Sequence, residues 1–412
     1  MDKATVIGKV NLYANLVKQH FEVKKVVLYG SYARGTARKD SDIDVAIIVK
    51  NTNSDFFEYA PLLWKLRGEI DSLIEPVLIE EDNDPAGFLE EILSYGIVVF
   101  NQSKATIGGV ILAHEELSSD IQFCLFGDEE IITSSLLEAK KNPKDFRIFH
   151  AQEVIGMGEH PTKALSLKPN SSIALGFEML KNNEIDAFAS AGNTGAMLVG
   201  SMYSVGAIHN IVRPCTSAIL PKENGGVGII LDVGTNTDCK PDVLYQFGII
   251  GSLYAEYVFN IKNPKVGLLN IGEEEEKGNI LSQATFKLMK TTKDFNFIGN
   301  IEGYDLFKDK ADVIICDGFT GNIVLKQTES IYNLFLNKGF SGDLFEKFNY
   351  ENYGGTPILG INSSVIIGHG ISNEKAIKNM ILLAKEIHEA KLCEKIKIAM
   401  NNSCTQIKEC SK

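Results

Sequence analysis

Short apolar segments that stop abruptly at turns of glycine, asparagine and aspartate constrain this chain more than any other feature. Val227–Val233 runs into Gly234-Thr235-Asn236, Val266–Ile271 into Gly272, and Val313–Cys316 into Asp317-Gly318. Apolar segments of that length, bounded by turn residues, read as buried strands. Phe123–Phe126, Ile148–His150 and Val365–Ile367 are further candidates. Between them, helical spacing is clear at Ile173, Phe177 and Leu180; at Phe247, Ile250, Tyr254 and Tyr257; and at Ile377, Met380, Ala384 and Ile387. Strand alternating with helix gives an open α/β sheet, which places ligands at the turns beyond its strand ends.

The first hundred residues follow the same alternation on a smaller scale. Helices are expected over 4–20, 55–70 and Gly87–Leu93, with strands at Val26–Tyr29, Ile43–Val49, Leu73–Ile79 and Ile97–Phe100. A chain of 412 residues exceeds one compact core. The expected organisation is a small α/β domain over 1–102 followed by a larger two-lobed α/β domain over 103–412.

An apolar fraction of 44% with 23% charged residues is that of an ordered soluble protein. The net charge of −12 is spread over both parts without a basic stripe, which disfavours nucleic acid. None of the seven cysteines (124, 215, 239, 316, 393, 404 and 410) forms a C-x-x-C pair, and no signal-peptide pattern opens the sequence. A cytoplasmic location is therefore expected. Residues 187–208 lack charge over a length that could span a bilayer. The interruption by Ser190-Ala191-Gly192-Asn193-Thr194-Gly195 predicts a strand, a turn and a buried helix instead.

In the small domain, Gly30-Ser31 is followed, after ten intervening residues, by Asp42-x-Asp44. Gly30 lets the backbone approach a triphosphate closely, and Ser31 supplies a hydroxyl donor. Two strand residues two apart project their carboxylates to one face, where they can hold Mg²⁺, and Glu75 on the next strand can complete the cluster. Arg34 and Arg38 are placed to meet phosphate oxygens. These residues resemble the minimal nucleotidyltransferases of the DNA polymerase beta superfamily, over residues 1 to about 102. The resemblance implies ATP and Mg²⁺ as cofactors and, in some such domains, transfer of AMP to a hydroxyl of a partner protein.

The larger part carries Ser190 to Ala196, Asp232-Val233-Gly234-Thr235-Asn236, Asp238-Cys239-Lys240-Pro241, Gly267 to Glu274, Asp317 to Asn322, Tyr353-Gly354-Gly355 and Gly368-His369-Gly370. From Lys104 onward these landmarks are similar to phosphate acyltransferases, which move an acyl group from acyl carrier protein to inorganic phosphate. The resemblance implies a phosphotransacetylase-like fold, an acyl phosphate product feeding phospholipid synthesis, and no cofactor for acyl transfer. It also implies a homodimer, with peripheral contact to the inner face of the cell membrane or to a glycerol-phosphate acyltransferase.

The residues suit that chemistry. Backbone N–H groups at Gly192–Gly195 and Thr320–Asn322 can bind anionic oxygens. Asn193, Thr194, Asn236 and Asn322 can donate hydrogen bonds, Lys168 and Lys326 can offset phosphate charge, and His369 can assist proton transfer. Each has a plainer reading. Lys168 can cap a surface turn, His369 can satisfy local backbone, and Asp232 and Asp317 can cap the turns that follow their strands. Glu273–Glu276 reads as a solvated face and Cys239 as a packed thiol.

Members of the acyltransferase family open with a strand running into an Ala-Met-Gly-Gly-Asp turn, which this chain lacks. Ile97–Phe100 instead runs through Asn101-Gln102-Ser103 straight into Lys104-Ala105-Thr106-Ile107-Gly108-Gly109, which matches the family's first helix. One reading is a natural fusion in which Ile97–Phe100 partly replaces the lost strand. The other is a join of two gene fragments, favoured because native fusions usually keep an exposed linker. Exposed edges and an incomplete phosphate pocket are expected. The acyltransferase part would then be active, impaired or only a dimerisation module.

Overall fold

The computed structural model describes residues 3–18, 20–21, 23–38, 41–49, 56–81, 84, 87–117, 121–370 and 372–410. The first unit comprises α1 (Lys3–Val17), β1 (Val23–Leu28), α2 (Gly30–Arg34), β2 (Ile43–Val49), α3 (Phe56–Arg67), β3 (Ile74–Glu80), α4 (Phe88–Tyr95) and β4 (Ile97–Asn101). Its sheet runs β3-β2-β1-β4. Strands β2 and β3 are parallel, and β1 is antiparallel to both β2 and β4.

The central strand β2 is apolar almost throughout because both of its faces are covered. Ile43, Val45, Ile47 and Val49 pack with Val6, Val10, Tyr13 and Val17 of α1. Ala46 and Ile48 lie on the other face, with Ile79 and Ile92. Tyr13 is fully buried, and its hydroxyl donates to the Leu63 carbonyl at 3.0 Å, so this buried phenol is satisfied.

The larger unit begins with α5 (Gln102–Glu116), β5 (Cys124–Gly127), α6 (Glu129–Glu138), β6 (Arg147–His150), α7 (Pro161–Leu167), α8 (Ser172–Lys181), β7 (Ala187–Ser190) and α9 (Thr194–Gly200). It continues through β8 (Cys215–Pro221), β9 (Val227–Leu231), α10 (Pro241–Tyr257), β10 (Lys265–Leu269), α11 (Ile280–Met289), β11 (Asn296–Ile301) and β12 (Val313–Ile315). Last come α12 (Gly318–Asn337), α13 (Asp343–Glu346), β13 (Gly355–Leu359), β14 (Ser364–Gly368), α14 (Glu374–Glu389) and α15 (Leu392–Cys410).

Eight strands form one sheet in the order β11-β10-β12-β9-β8-β13-β14-β7. Four neighbours at one end (β11, β10, β12, β9) are parallel, as are β14 and β7 at the other, with antiparallel β8 and β13 joining the two lobes. Helix α10 is buried along most of its length, packed against Ile229, Leu231, Val266 and Val313. That environment explains why its sequence is apolar all round rather than on one stripe.

Two expectations meet a different outcome. Strands β5 and β6 pair with each other in a separate two-stranded parallel sheet, where Arg147 and His150 are exposed; they are not buried strands. Ile97–Phe100 does not replace a strand of the larger sheet. As part of β4 it pairs with β1, and α5 follows at the next residue. Helix α5 carries its own adaptation to this position. A Cβ on Gly108 would lie 2.5 Å from Glu374, and one on Gly109 would lie 2.4 Å from Cβ of Ile377. Two successive glycines inside a helix are unfavourable in isolation, and here they allow α5 to lie flush on α14. Among the described residues, no helix is long and apolar enough to cross a membrane. Residues 187–208 form β7, the glycine-rich turn and α9, closed by a single π-helical turn over Ser201–Val205.

Candidate functional site

Strands β9 and β12 are parallel neighbours, so the turns that leave them emerge side by side. The fully buried Asp232 organises the first turn. Its Oδ1 accepts from the Thr216 amide at 3.1 Å, the Thr216 hydroxyl at 2.9 Å and the Thr235 amide at 3.3 Å. Its Oδ2 accepts from the Asn236 amide at 2.6 Å and side chain at 2.9 Å. A buried carboxylate is tolerable when donors surround it in this way. Asn236 also donates to the Pro214 carbonyl at 2.8 Å, so its amide is engaged within the protein.

The second turn is locked onto the first. The Gly318 amide donates to the Asn236 carbonyl at 2.7 Å. A Cβ on Gly321 would fall 1.9 Å from the Asp232 carbonyl oxygen, so only glycine fits there. Asp317 caps α12, accepting from the Thr320 amide at 2.8 Å and its hydroxyl at 3.0 Å. Asn322 lies over the first turn, its Oδ1 3.6 Å from the Cβ position of Gly234. Lys326, one helical turn further on, is exposed. The start of a twenty-residue helix thus faces a rigid turn, a favourable place for an oxyanion. Cys239 packs here and donates to the Asn236 carbonyl; burial first, then the Asp232 and Asp317 charges, push its thiol up to about 12. A thiol so placed is inert at neutral pH.

At the other lobe, β7 and β14 are parallel partners, with Ser190 opposite Ile367. The Ala191–Gly195 and Gly368–Gly370 turns therefore lie together, and a Cβ on Gly368 would be 3.0 Å from Ala191. Asn193 caps α9 by accepting from the Ala196 amide at 2.8 Å. Its amide nitrogen donates to the carbonyls of Gly156, Met157 and Glu159 at 2.8, 3.0 and 3.2 Å. The structure thus gives Asn193 a scaffold role and leaves the exposed Thr194, with the Gly192 and Gly195 backbone, at the surface of the turn. Lys168 donates to Val154 O at 2.7 Å and to Glu159 at 2.5 Å, which ties it to a neighbouring loop.

His369 is open to solvent yet partly desolvated by its neighbours. Desolvation, then the Lys18 and Lys326 charges, lower its pKa and favour the neutral imidazole. Its ring lies 5.4 Å from that of Tyr350. Asn236 and Asn322 stand together at one pair of turns and Asn193 at the other. Thr216, Glu159, Tyr350 and Lys18 were not foreseen. Thr216 lies on an unforeseen strand, and only three-dimensional proximity connects the others to the site. Glu273 and Glu275 pair with Lys310 and Lys290 on a solvated face.

In the first unit, Asp44 and Glu75 are register partners on parallel strands, with Asp42 two residues before. Gly30 has φ +64°, and a Cβ there would lie 1.9 Å from Asp44 Oδ2. Burial, then the Asp42 charge, raise the Asp44 pKa against a hydrogen bond from the Ser31 amide, with Glu75 adding to the rise. Glu75 is held by Arg67 at 2.9 Å. Arg34 lies over the Tyr95 ring and 3.4 Å from Glu91. Among the described residues, no three acidic, histidine or cysteine side chains converge into a formed metal cage. The crowded negative charge on Asp42 and Asp44, beside a glycine cradle, fits a divalent cation; Glu75 is committed to Arg67.

The model of the fatty acid synthesis protein family matches residues 101–338 and 333–395. That of the polymerase beta nucleotidyltransferases matches residues 12–105. The phosphate acyltransferase of Dictyoglomus turgidum is 42% identical over 316 residues, covering 72% of this chain and 93% of that protein. That of Halothermothrix orenii is 42% identical over 287 residues, covering 65% and 86%. Among solved structures, a phosphotransacetylase from Streptococcus pyogenes aligns with a TM-score of 0.50 at 16% identity, covering 69% of this chain and 91% of that one. EutD phosphotransacetylase from Staphylococcus aureus gives 0.50 at 13%, covering 70% and 92%. These two likenesses concern the fold.

Proposed function

The chain belongs to the fatty acid synthesis protein family, in which its relatives are phosphate acyltransferases, and on that premise we propose that it transfers an acyl group from acyl carrier protein to inorganic phosphate. The interlocked turns after β9 and β12 carry the reading: a rigid set of backbone donors at a helix start, followed on α12 by Asn322 and Lys326. A phosphate oxygen attacks the thioester carbonyl, and the tetrahedral intermediate collapses by breaking the carbon–sulfur bond. The hydrogen that phosphate brings ends on the departing thiol, so HPO₄²⁻ and the thioester give the acyl phosphate dianion and a free thiol. A neutral His369 is suited to accept that proton and pass it on. Thr194 and the Gly192–Gly195 backbone serve the acyl donor's side of the cleft.

Acyl phosphate formation by the purified protein, followed with and without added phosphate, tests this. Turnover that does not depend on phosphate sinks it. The product's destination in phospholipid synthesis, the homodimer and the cytoplasmic face of the membrane as working location belong to the same reading.

The cradle of Gly30 against Asp44 favours a second activity in the first unit, transfer of AMP from ATP to a partner protein. Asp42 and Asp44 would hold Mg²⁺, which supplies charge neutralisation for a bound triphosphate. Labelling of protein from radiolabelled ATP, absent in Asp42→Ala and Asp44→Ala, is the expected result. Equal labelling in those variants excludes it.

A further inference from the structure

The third carboxylate of the first unit already has a cation, and the protein supplies it. Asp44 on β2 and Glu75 on β3 are register partners on parallel strands, so both side chains leave one face of the sheet from Cα positions roughly 5 Å apart. Arg67, the last residue of α3, is held against Glu75 by three contacts. Its Nη1 donates to the Ile74 carbonyl at 2.8 Å and to Glu75 Oε1 at 2.9 Å. Its guanidinium lies over the Trp64 ring, 3.8 Å from the centroid. Two of these contacts do not involve Glu75, so the guanidinium has anchors of its own. The turn that follows is equally firm. The Arg67 carbonyl accepts from the Ile70 and Asp71 amides at 3.0 and 2.8 Å, while Asp71 pairs with Lys9 of α1 at 2.5 Å and accepts from the Leu73 amide at 2.9 Å. The side chain of Arg67 is 19% exposed and that of Glu75 40%, so salt screens this pair less than a fully solvated one.

We propose that Arg67 is a positioning residue that withholds Glu75 from the divalent cation, leaving the ion to Asp42 and Asp44. Two carboxylates do not complete the oxygen shell of such an ion, and a triphosphate carries the oxygens that do. The first unit therefore binds the bare ion weakly and takes it together with the nucleotide, as a metal–nucleoside triphosphate complex. The inference rests on reading the first unit as a nucleotidyltransferase. An opposite role for the same contacts is that Arg67 steadies Glu75 as a ligand. A full positive charge fixed on Glu75 competes with the ion for that carboxylate, which favours withholding. The two roles also part in a measurable way: withholding makes Arg67 and Glu75 dispensable as a pair, and steadying makes them indispensable.

The test is Mn²⁺ binding to the full chain, followed by electron paramagnetic resonance of the free ion, after subtracting binding that persists when Asp42→Ala and Asp44→Ala are combined. Arg67→Met is expected to bind Mn²⁺ roughly tenfold more tightly than the unaltered protein, while Arg67→Lys, which keeps the charge, stays near the native affinity. The double variant Arg67→Met with Glu75→Gln removes both charges and returns to the native affinity. By calorimetry, a non-hydrolysable ATP analogue binds the unaltered protein about tenfold more tightly with Mn²⁺ than without it. Should Arg67→Met not fold, Arg67→Gln replaces it in both variants, and the calorimetry needs no variant. The proposal is overturned by unchanged or weaker binding in Arg67→Met, by equal tightening in Arg67→Lys, or by a loss of about tenfold or more in the double variant. Equal affinity for the analogue with and without Mn²⁺ overturns it too. If the Mn²⁺ affinities move as expected but the unaltered protein transfers no label from ATP, the role of Arg67 stands and the AMP-transfer reading falls. Label transfer alongside a crippled double variant keeps that reading and removes the role.

Discussion

Single residues in this molecule do their work through proximity. Gly321 is the sharpest case, since a Cβ there meets a backbone oxygen that cannot retreat. Gly321→Ala is expected to cost about 1–3 kcal/mol by overpacking and to abolish acyl phosphate formation; urea denaturation and the phosphate-dependent assay read the two effects. Asp44 offers the opposite trade. Its folded-state pKa is raised, so the folded form binds the proton more readily than the unfolded chain. That contribution favours folding below the unfolded pKa and is lost as pH rises through the folded value. At neutral pH the ionised group is a burden beside Asp42. Asp44→Asn should therefore raise the melting temperature of the protein at pH 7 while removing ATP-dependent labelling. A lower melting temperature contradicts this account.

At the level of elements, the alternation of strand and helix was legible because buried strands and amphipathic helices leave different periods in the sequence. Strand β2 appears over the predicted residues, and the spacings on α8 and α14 fall on buried faces, as does that on α10 except at Tyr257, which is exposed. Three strands were not legible. β8 mixes Cys, Thr and Ser and ends in proline; β11 carries two asparagines and a glycine; β13 opens Gly-Thr-Pro. Each also pairs with a strand distant in sequence, β8 with β13 and β11 with β10, which local composition does not encode. The site shows the same division. Motif turns mark where asparagines cluster, but residue type cannot reveal that Asn193 and Asn236 donate to the protein's own carbonyls. Gly109 makes a prediction at this scale. Alanine would gain about 1 kcal/mol in helix propensity, yet its Cβ would strike Ile377. Gly109→Ala is expected to destabilise the protein by about 1–2 kcal/mol net, measured by chemical denaturation. Stabilisation would mean that α5 does not lie this close to α14.

Across the whole molecule, two sheets share one helix. Helix α5 packs on β1, β4 and α14, and its Ile107, Val110 and Ala113 lie in a core with β5 and α6. Calorimetry should accordingly show one cooperative transition rather than two well-separated ones, and two resolved peaks would show the units to be energetically independent. The sequence announced two kinds of chemistry but not how they are spliced, since nothing in Ile97–Phe100 distinguishes a strand that ends one sheet from a strand that begins the next. Strands β7 and β11 form the two edges of the large sheet, while among the described residues β5 pairs only with β6. Between β4 and α5 there is no slack at all. A slip of β4 along β1 by one alternation, roughly 7 Å, would haul α5 across α14 like a drawbar. Whatever bends the small sheet must be felt as traction on the large one.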